Sequence, residues 1–329
     1  ESVFTAPLLW RGIRFYELSG TQSKLFQNHR LFQKLLHIRK YDVLHLNIFH
    51  AVSLYYAYLA EQAGIPVRIV HSHNTALRKS AGRPIKLLLH KAARELFSKS
   101  ATELWACSAP AAEFLFSHKA RAKMGFRFTP NGIDTERFRF NPAVRRAVRR
   151  ELGLTGALVI GNIGRLCAQK NQGFLLEILS ELVRRRPESY LLLAGEGEDG
   201  VRLEEQAKRL GIADRVLFYG VCVEVERLMW AMDIFAFPSQ FEGFGIAAVE
   251  AQASGLPVVA SEFVPAETQI TPLFQRLHLN AGTTAWADRL SGIHPEKDRG
   301  FYADEVRQAG FDISDTAQQI KTYFLKSGL

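Results

Sequence analysis

Apolar residues along this chain fall into short blocks separated by polar stretches, and two kinds of block alternate. The first kind is compact. Residues 41–46, 67–70, 102–106, 157–163, 190–194, 216–219 and 234–237 are short, mostly apolar runs that read as buried strands. The second kind is longer and mixed, at 51–63, 84–99, 171–186 and 201–210, and predicts helices. Gly64 closes the first of these, the stretch 84–99 is basic and amphipathic, and Ser108 stands where it can cap a further helix. Strands that alternate with helices pair in parallel and are covered on both faces, which predicts an α/β chain. Two such series flank a linker at 137–141, so two Rossmann-like, doubly wound parallel-sheet domains are expected to face one another across a ligand-binding cleft. The expected boundaries are 1–139 for the first domain, with a C-terminal helix at 313–329 packing back onto it, and 140–312 for the second.

Composition sharpens this picture in three places. A chain of 329 residues with 47% hydrophobic content can bury two proper cores. Its longest apolar stretch, around 51–60, is well short of the roughly 20 residues that a membrane-spanning helix needs. Cys107, Cys167 and Cys222 lack C-x-x-C spacing, so neither a disulfide framework nor a zinc site is expected, and a reducing cytosol is the expected compartment. The charge is uneven: residues 1–150 carry about 25 Lys and Arg against about 9 acids, although the whole chain is only +9. A basic half of this kind suits anionic phospholipid headgroups or a lipid diphosphate, each cation contributing roughly 1 kcal/mol near such a surface. The plainer reading is a solvated basic face, which is also the reading for His118 and the run through Lys123. No zinc finger, RNP segment or basic zipper is present, so nucleic acid is not an expected partner.

Candidate chemistry concentrates at 237–261. Pro238 and Ser239 end the strand at 234–237, Gly243 and Gly245 let backbone approach a ligand closely, and a helix is expected to start near Phe244. The unpaired N–H groups of its first turn suit a phosphate. Glu242 precedes that helix and Glu250 lies about one and a half turns into it, so the two carboxylates can hold different parts of one ligand. Asn131-Gly132 is a turn signal, and Asn131, Gly132 and Asp134 are expected to shape the chain between domains. The chain has no D-x-D motif, and metal independence is expected.

The 237–261 stretch resembles the E-x(7)-E signature of retaining glycosyltransferases of the GT-B fold, in the class called glycosyltransferase family 4. Asn131-Gly-Ile-Asp-Thr-Glu-Arg-Phe138 resembles the interdomain segment of that family, and Ile160-Gly-Asn-Ile-Gly-Arg-Leu-Cys-Ala-Gln-Lys-Asn171 its G-R-x(4)-K phosphate segment, in the same order and spacing. Ala194-Gly-Glu-Gly197 and Phe218-Tyr-Gly220 stand where such enzymes hold the nucleoside. His71-Ser-His-Asn74, Trp105-Ala-Cys-Ser108 and Gly310-Phe-Asp-Ile313 look most like bacterial exopolysaccharide and capsule enzymes.

The resemblance implies transfer, with retention, of a sugar from a UDP- or GDP-linked donor to a growing lipid-linked glycan at the cytoplasmic membrane face. It implies Arg165, Lys170, Glu242 and His73 as catalytic groups, with Arg165 and Lys170 neutralising the diphosphate and Glu242 near the donor sugar. Gly164, Glu196, Gly220, Gly243, Phe244, Gly245, Ile246 and Glu250 would bind the nucleotide, Glu250 through the ribose diol. His45, Asn47 and His71 are acceptor-side candidates, and strand alternation puts His71 and His73 on one side without choosing between them. Plainer readings stand beside these: a surface pair for Arg165 and Lys170, a helix-surface salt bridge for Glu250, support of a helix N-terminus for Glu242, and satisfied structural histidines. A nucleotide-sugar epimerase of the same architecture and a non-catalytic polyanion- or membrane-binding module are the alternatives. Enzymes of this type open with a strand and a Gly-Gly loop, neither of which precedes Gly12 in a chain that begins at Glu1, so a first domain lacking its first strands is expected.

Overall fold

The computed structural model describes residues 5–17, 25–77, 82–294 and 298–326; Glu1 and residues 327–329 of the expected C-terminal helix lie outside this set. Among the described residues ten strands form two sheets. The first has the order β1 (Val43–Ile48), β2 (Val67–Ser72), β3 (Glu103–Ala106), β4 (Arg127–Phe128). The second comprises β5 (Leu158–Ile163), β6 (Ser189–Ala194), β7 (Val216–Gly220), β8 (Ile234–Phe237), β9 (Val258–Ala260) and β10 (Phe274–Arg276), in the order β10-β9-β8-β5-β6-β7. Every pairing between these strands is parallel, as in the two expected doubly wound domains.

Side chains along β5 and β6 alternate between two cores. Val159, Leu192 and Ala194 join a cluster that also takes in Val70, Leu104 and Ala106 of the first sheet. Leu158, Ile160, Leu191 and Leu193 point the other way, into a cluster with Leu175, Leu179 and Leu182 of helix Gln172–Val183 and with Trp286. Burial on both faces explains why these strands are continuous apolar runs and not alternating ones.

Several expected boundaries move, each for a local reason. The first strand starts at Val43, where pairing with Val67 begins, and runs on to Ile48 opposite Ser72. The single helix expected over 51–63 is a 3-10 turn, Ala51–Leu54, followed by an α-helix, Tyr55–Gln62. The helix expected near Phe244 starts at Ile246, because Gly245 is left-handed at φ 94° and ends the preceding loop. Before β1 the described residues supply two helices, Thr5–Trp10 and Leu25–Ile38, and no strand, so β1 pairs only with β2 among them.

The link between the sheets is ordered. Asp134 caps the short helix Thr135–Phe138 through Arg137 N, and Asn141 caps Pro142–Glu151 through Ala143 N and Val144 N. That second helix is fastened to the second sheet by Arg145 and Arg149, both paired with buried Asp233 at 2.5 and 3.0 Å. At the far end Thr135 donates its hydroxyl hydrogen to Asp312 (2.6 Å), and Ile133 bridges to Asp312 in parallel. Helix Ile313–Lys326 then returns to the first sheet, with Tyr323 edge-on to Trp105 at 5.1 Å and Phe324 edge-on to His45 at 6.2 Å.

Candidate functional site

Chain order in the second sheet reverses between β5 and β8: β6 and β7 continue on one side of β5, β9 and β10 beyond β8 on the other. Ligands of open parallel sheets bind at the carboxyl ends of the strands, at such a switch point. The loops after β5 and β8 meet there. Lys170 Nζ donates to Glu242 Oε1 at 2.7 Å, and the same ammonium lies 4.7 Å from the centre of the Phe237 ring. Glu242 is buried and Lys170 half-buried. Two further bonds join these loops, from Gln240 N to Gln169 O (2.8 Å) and from Gln169 Nε2 to Phe241 O (3.0 Å).

Arg165 sits in the same loop after β5 but is exposed, and its guanidinium has no partner among the described residues. Its backbone is held from below. Buried Gln172 donates to Arg165 O (2.9 Å) and to Asn162 Oδ1 (3.3 Å), and accepts from Cys167 N (3.4 Å). Gln172 was not among the expected site residues, because only its partners reveal its role. Gly164 N donates to Ala194 O at 2.9 Å and Leu166 N to Glu196 O at 3.1 Å, so the loops after β5 and β6 are stitched together. Gly220, left-handed at φ 76°, accepts from Gly195 N at 2.7 Å and lies beside the exposed Glu196 side chain. Gly164, Arg165, Lys170, Glu196, Gly220 and the 242–246 loop therefore all stand at one sheet edge.

Glu250 lies on the second turn of helix Ile246–Ala253, half-buried. Burial pushes its carboxyl up to about 7; Arg137 opposes the rise and Glu226 adds to it. Arg137 does not pair with it. That guanidinium donates to Glu226 Oε2 through Nε (3.0 Å) and Nη2 (2.8 Å), and to Val223 O (2.6 Å). The helix-surface salt bridge open to Glu250 on sequence grounds is thus absent among the described residues. Arg137 sits inside the Asn131–Phe138 segment, which was the only signal that could have marked it.

The first domain closes on the backbone of the 242–246 loop. Thr75 donates its hydroxyl hydrogen to Glu242 O (2.8 Å), and Ser108 donates to Gly243 O (2.7 Å) while capping its own helix through Ala111 N (3.2 Å). Gly243 is packed against the His73 carbonyl, Phe244 is buried and stacks on Phe311 at 5.8 Å, and Ile246 is exposed. Behind His73 a histidine row crosses the first sheet. His71 and His73 have ring centres 4.0 Å apart and His45 and His71 5.7 Å apart, with Trp105 edge-on to both His45 and His71. His73 Nε2 meets Asn47 Oδ1 at 2.8 Å. His71 is buried and lowered to about 3, by desolvation first and then by His73 and His45. His45, Asn47, His71 and His73 are thus brought together, and His73 abuts Gly243 of the second domain through its backbone.

Two family models match the chain: residues 7–137 fit "Glycosyltransferase Family 4" and residues 144–293 fit "Glycosyl transferases group 1". EpsF of Bacillus subtilis strain 168, named as a glycosyltransferase, is 33% identical over 260 residues, covering 78% of this chain and 67% of that protein. The chain belongs to glycosyltransferase family 4. The UDP-Gal:alpha-D-GlcNAc-diphosphoundecaprenol alpha-1,3-galactosyltransferase of Escherichia coli is 28% identical over 265 residues, covering 78% of this glycosyltransferase and 65% of that one. Among solved structures, Anabaena Alr3699/HepE in complex with UDP aligns with a TM-score of 0.77 at 23% identity, over 100% of this chain and 90% of that one. The shared architecture is GT-B: two parallel-sheet α/β domains face to face. No described helix of this glycosyltransferase is long and apolar enough to cross a membrane.

Proposed function

We propose that this glycosyltransferase moves a sugar, with retention of anomeric configuration, from a uridine or guanosine diphosphate donor to a growing lipid-linked glycan at the cytoplasmic face of a membrane. The observation that carries the reading is the meeting of Lys170 and Glu242 at the switch point, with Arg165 in the loop of Lys170 and Glu250 in the helix after Glu242 both left without a hydrogen-bond partner among the described residues. An unpaired cation and an unpaired, half-buried carboxylate are groups suited to an anion and a diol. Arg165 and Lys170, with the amides of the turn at 244–246, hold the diphosphate; Glu250 accepts from the ribose hydroxyls; Glu196 and Gly220 line the nucleoside side; and Glu242 orients the donor sugar.

The chemistry follows from charge. Negative charge grows on the departing diphosphate while the anomeric carbon becomes oxocarbenium-like, so cations at the diphosphate stabilise the transition state more than the ground state. The acceptor hydroxyl attacks from the same face, and its proton passes to an oxygen of the leaving phosphate. Glu242, tied to Lys170, takes a binding role and not that of a nucleophile, which a double-displacement pair about 5 Å apart would require. His73 touches the donor sugar from the first domain, His45, His71 and Asn47 stand on the acceptor side, and no metal enters the reading.

The relatives support parts of this reading: HepE is solved with UDP, and the E. coli enzyme is named for a UDP donor and a diphosphoundecaprenol-linked acceptor. Calorimetric titration with UDP and GDP tests the donor half. Saturable binding of one of them, lost in Lys170→Ala, is expected, and equal weak binding of any polyanion would overturn it. Incubating the protein with nucleotide sugars and a lipid-linked acceptor in chelator tests the rest. A lengthened glycan is expected, whereas conversion of the donor alone identifies an epimerase.

A further inference from the structure

Three consecutive carbonyls of the loop before helix Ile246–Ala253 each accept a side-chain hydroxyl. Thr75 donates to Glu242 O (2.8 Å), Ser108 to Gly243 O (2.7 Å) and Thr268 to Phe244 O (2.5 Å). The first two hydroxyls come from the first domain, the third from the turn Ala266–Thr268 that follows β9 in the second. In a trans peptide the N–H points away from the carbonyl. The N–H groups of Gly243, Phe244 and Gly245 are therefore turned from these hydroxyls, and none of them has a hydrogen-bond partner among the described residues.

A hydroxyl rotates, so each of the three must itself be held. Thr268 is fully buried; Gln252 donates to its carbonyl (2.8 Å) and accepts from Ile270 N (3.1 Å) and Thr271 N (2.9 Å). Ser108 is held by the helix it opens, Ala109–Leu115. Its hydroxyl accepts from Ala111 N (3.2 Å), Pro110 has no N–H, and Ala109 N donates across the domains to Glu267 Oε1 at 2.7 Å. Glu267 precedes Thr268 as Ser108 precedes Ala109, so a ring of contacts closes through both domains and the 243–244 peptide.

The Glu267 carboxylate makes no ion pair among the described residues. Neighbouring Arg276 donates to Val264 O (2.6 Å) and Pro265 O (3.0 Å) instead, and Glu267 Oε2 is buried without a partner. We propose that Glu267 is a positioning residue of the donor loop: by holding Ala109 N it seats Ser108 on Gly243 O and keeps the loop amides turned towards the diphosphate. On the reading of those amides as diphosphate donors, on which this rests, the grip on the donor is complete only when the first domain is closed on the second. A bond from N–H to a carboxylate is about twice as strong as a neutral one, and without it the Ala109 amide is orphaned.

Amide exchange and calorimetry on the parent, Glu267→Ala, Glu267→Gln and Ser108→Ala test the assignment. Without nucleotide, Glu267→Ala should speed exchange about tenfold both at 107–112, where its bond lies, and at 242–248. UDP affinity should fall at least about fivefold, whereas uridine, which lacks the phosphates, should bind as it does to the parent. Glu267→Gln keeps an oxygen for Ala109 N and should match the parent in both measurements. Ser108→Ala should reproduce the loss and add little to Glu267→Ala, since both break one ring; it also carries the comparison if Glu267→Ala does not fold. Faster exchange confined to 107–112 would overturn the assignment, as would losses that multiply in the double variant or equal weakening of UDP and uridine. Failure of the parent to bind UDP would overturn the donor reading instead, and exchange at 242–248 would still decide whether Glu267 holds the loop.

Discussion

Gly243 and His73 meet backbone to backbone across the two domains: a Cβ on Gly243 would overlap the His73 carbonyl oxygen far inside van der Waals contact, and would also crowd Asn74 Cα at 3.2 Å. Gly243 is not among the left-handed glycines, so the demand at this position is for space. The neighbouring bonds from Thr75 to Glu242 O and from Ser108 to Gly243 O depend on that approach. Gly243→Ala should force the loops apart, lowering stability by about 1–3 kcal/mol as overpacking does. Because Glu242 moves with the loop, transfer should fall on the order of a hundredfold. Gly292→Ala, where the added Cβ finds its nearest atom at an ordinary 3.6 Å, is the control and should melt like the parent. Equal melting of the two variants would show that the domains do not close as described.

Lys170 and Glu242 should respond differently to substitution. Glu242 is 7% and Lys170 17% exposed at the side chain, so removing the lysine leaves a buried carboxylate without its cation. Lys170→Ala is therefore expected to lose about 3–5 kcal/mol of stability and to bind nucleotide weakly. Glu242→Gln keeps an acceptor for Lys170 Nζ and removes the competing negative charge. Its UDP affinity should be at least that of the parent, while transfer drops about a hundredfold or more. Titration alongside a transfer assay reads both, and weaker UDP binding by Glu242→Gln would assign Glu242 to the diphosphate instead of the sugar.

What was legible in the sequence divides by how far each feature reaches. Long apolar strands such as β5 and β6 announce themselves because both faces are buried, whereas β9, β10 and the two-residue β4 are too short to show a period. The glycines and charges of the 160–171 and 237–250 segments stood out because their spacing is local. The groups that align them did not. Thr75, Ser108 and Gln172 act on main-chain oxygens of other segments, and Ser108 read only as a helix cap although it also holds Gly243 O. Arg137 read as part of a linker, while the fold carries it to Glu226, 89 positions away.

Glu250 supplies a pH signature for nucleotide binding. Burial raises its carboxyl to about 7, above the ordinary 4.5, so the folded protein favours the protonated form. The sign for stability follows: this contribution is fully present below pH 4.5 and is lost as pH rises through about 7. For the ligand the sign is reversed, because an ionised carboxylate accepts from both ribose hydroxyls and a protonated one does not. UDP affinity should therefore rise with pH, with a midpoint near 7. Glu250→Gln removes that step while keeping the titration of the diphosphate itself, so the difference between the two profiles isolates the residue. Superimposable profiles would exclude Glu250 from the ribose.

The histidine row makes acid stability the complementary test of the first domain. His71 is lowered from 6.5 to about 3, and burial also lowers His45 and His73, so all three are held neutral in the fold. A depressed histidine contributes stability that is complete above its unfolded value of 6.5 and is lost as pH falls through its folded value. Protonating His71 places a cation between His45, His73 and Trp105, with Arg127 stacked on that same indole at 5.2 Å. Its Nε2 has no hydrogen-bond partner among the described residues and the ring's one bond is to the Thr129 backbone, so an aromatic hydrocarbon ring in its place removes the titration together with that single bond. Melting temperature should fall steadily from about pH 6.5 downward, over a range worth several kcal/mol, and His71→Phe should flatten that fall. An unchanged slope in His71→Phe would place the acid lability elsewhere, and the first domain would then owe its pH dependence to its carboxylates.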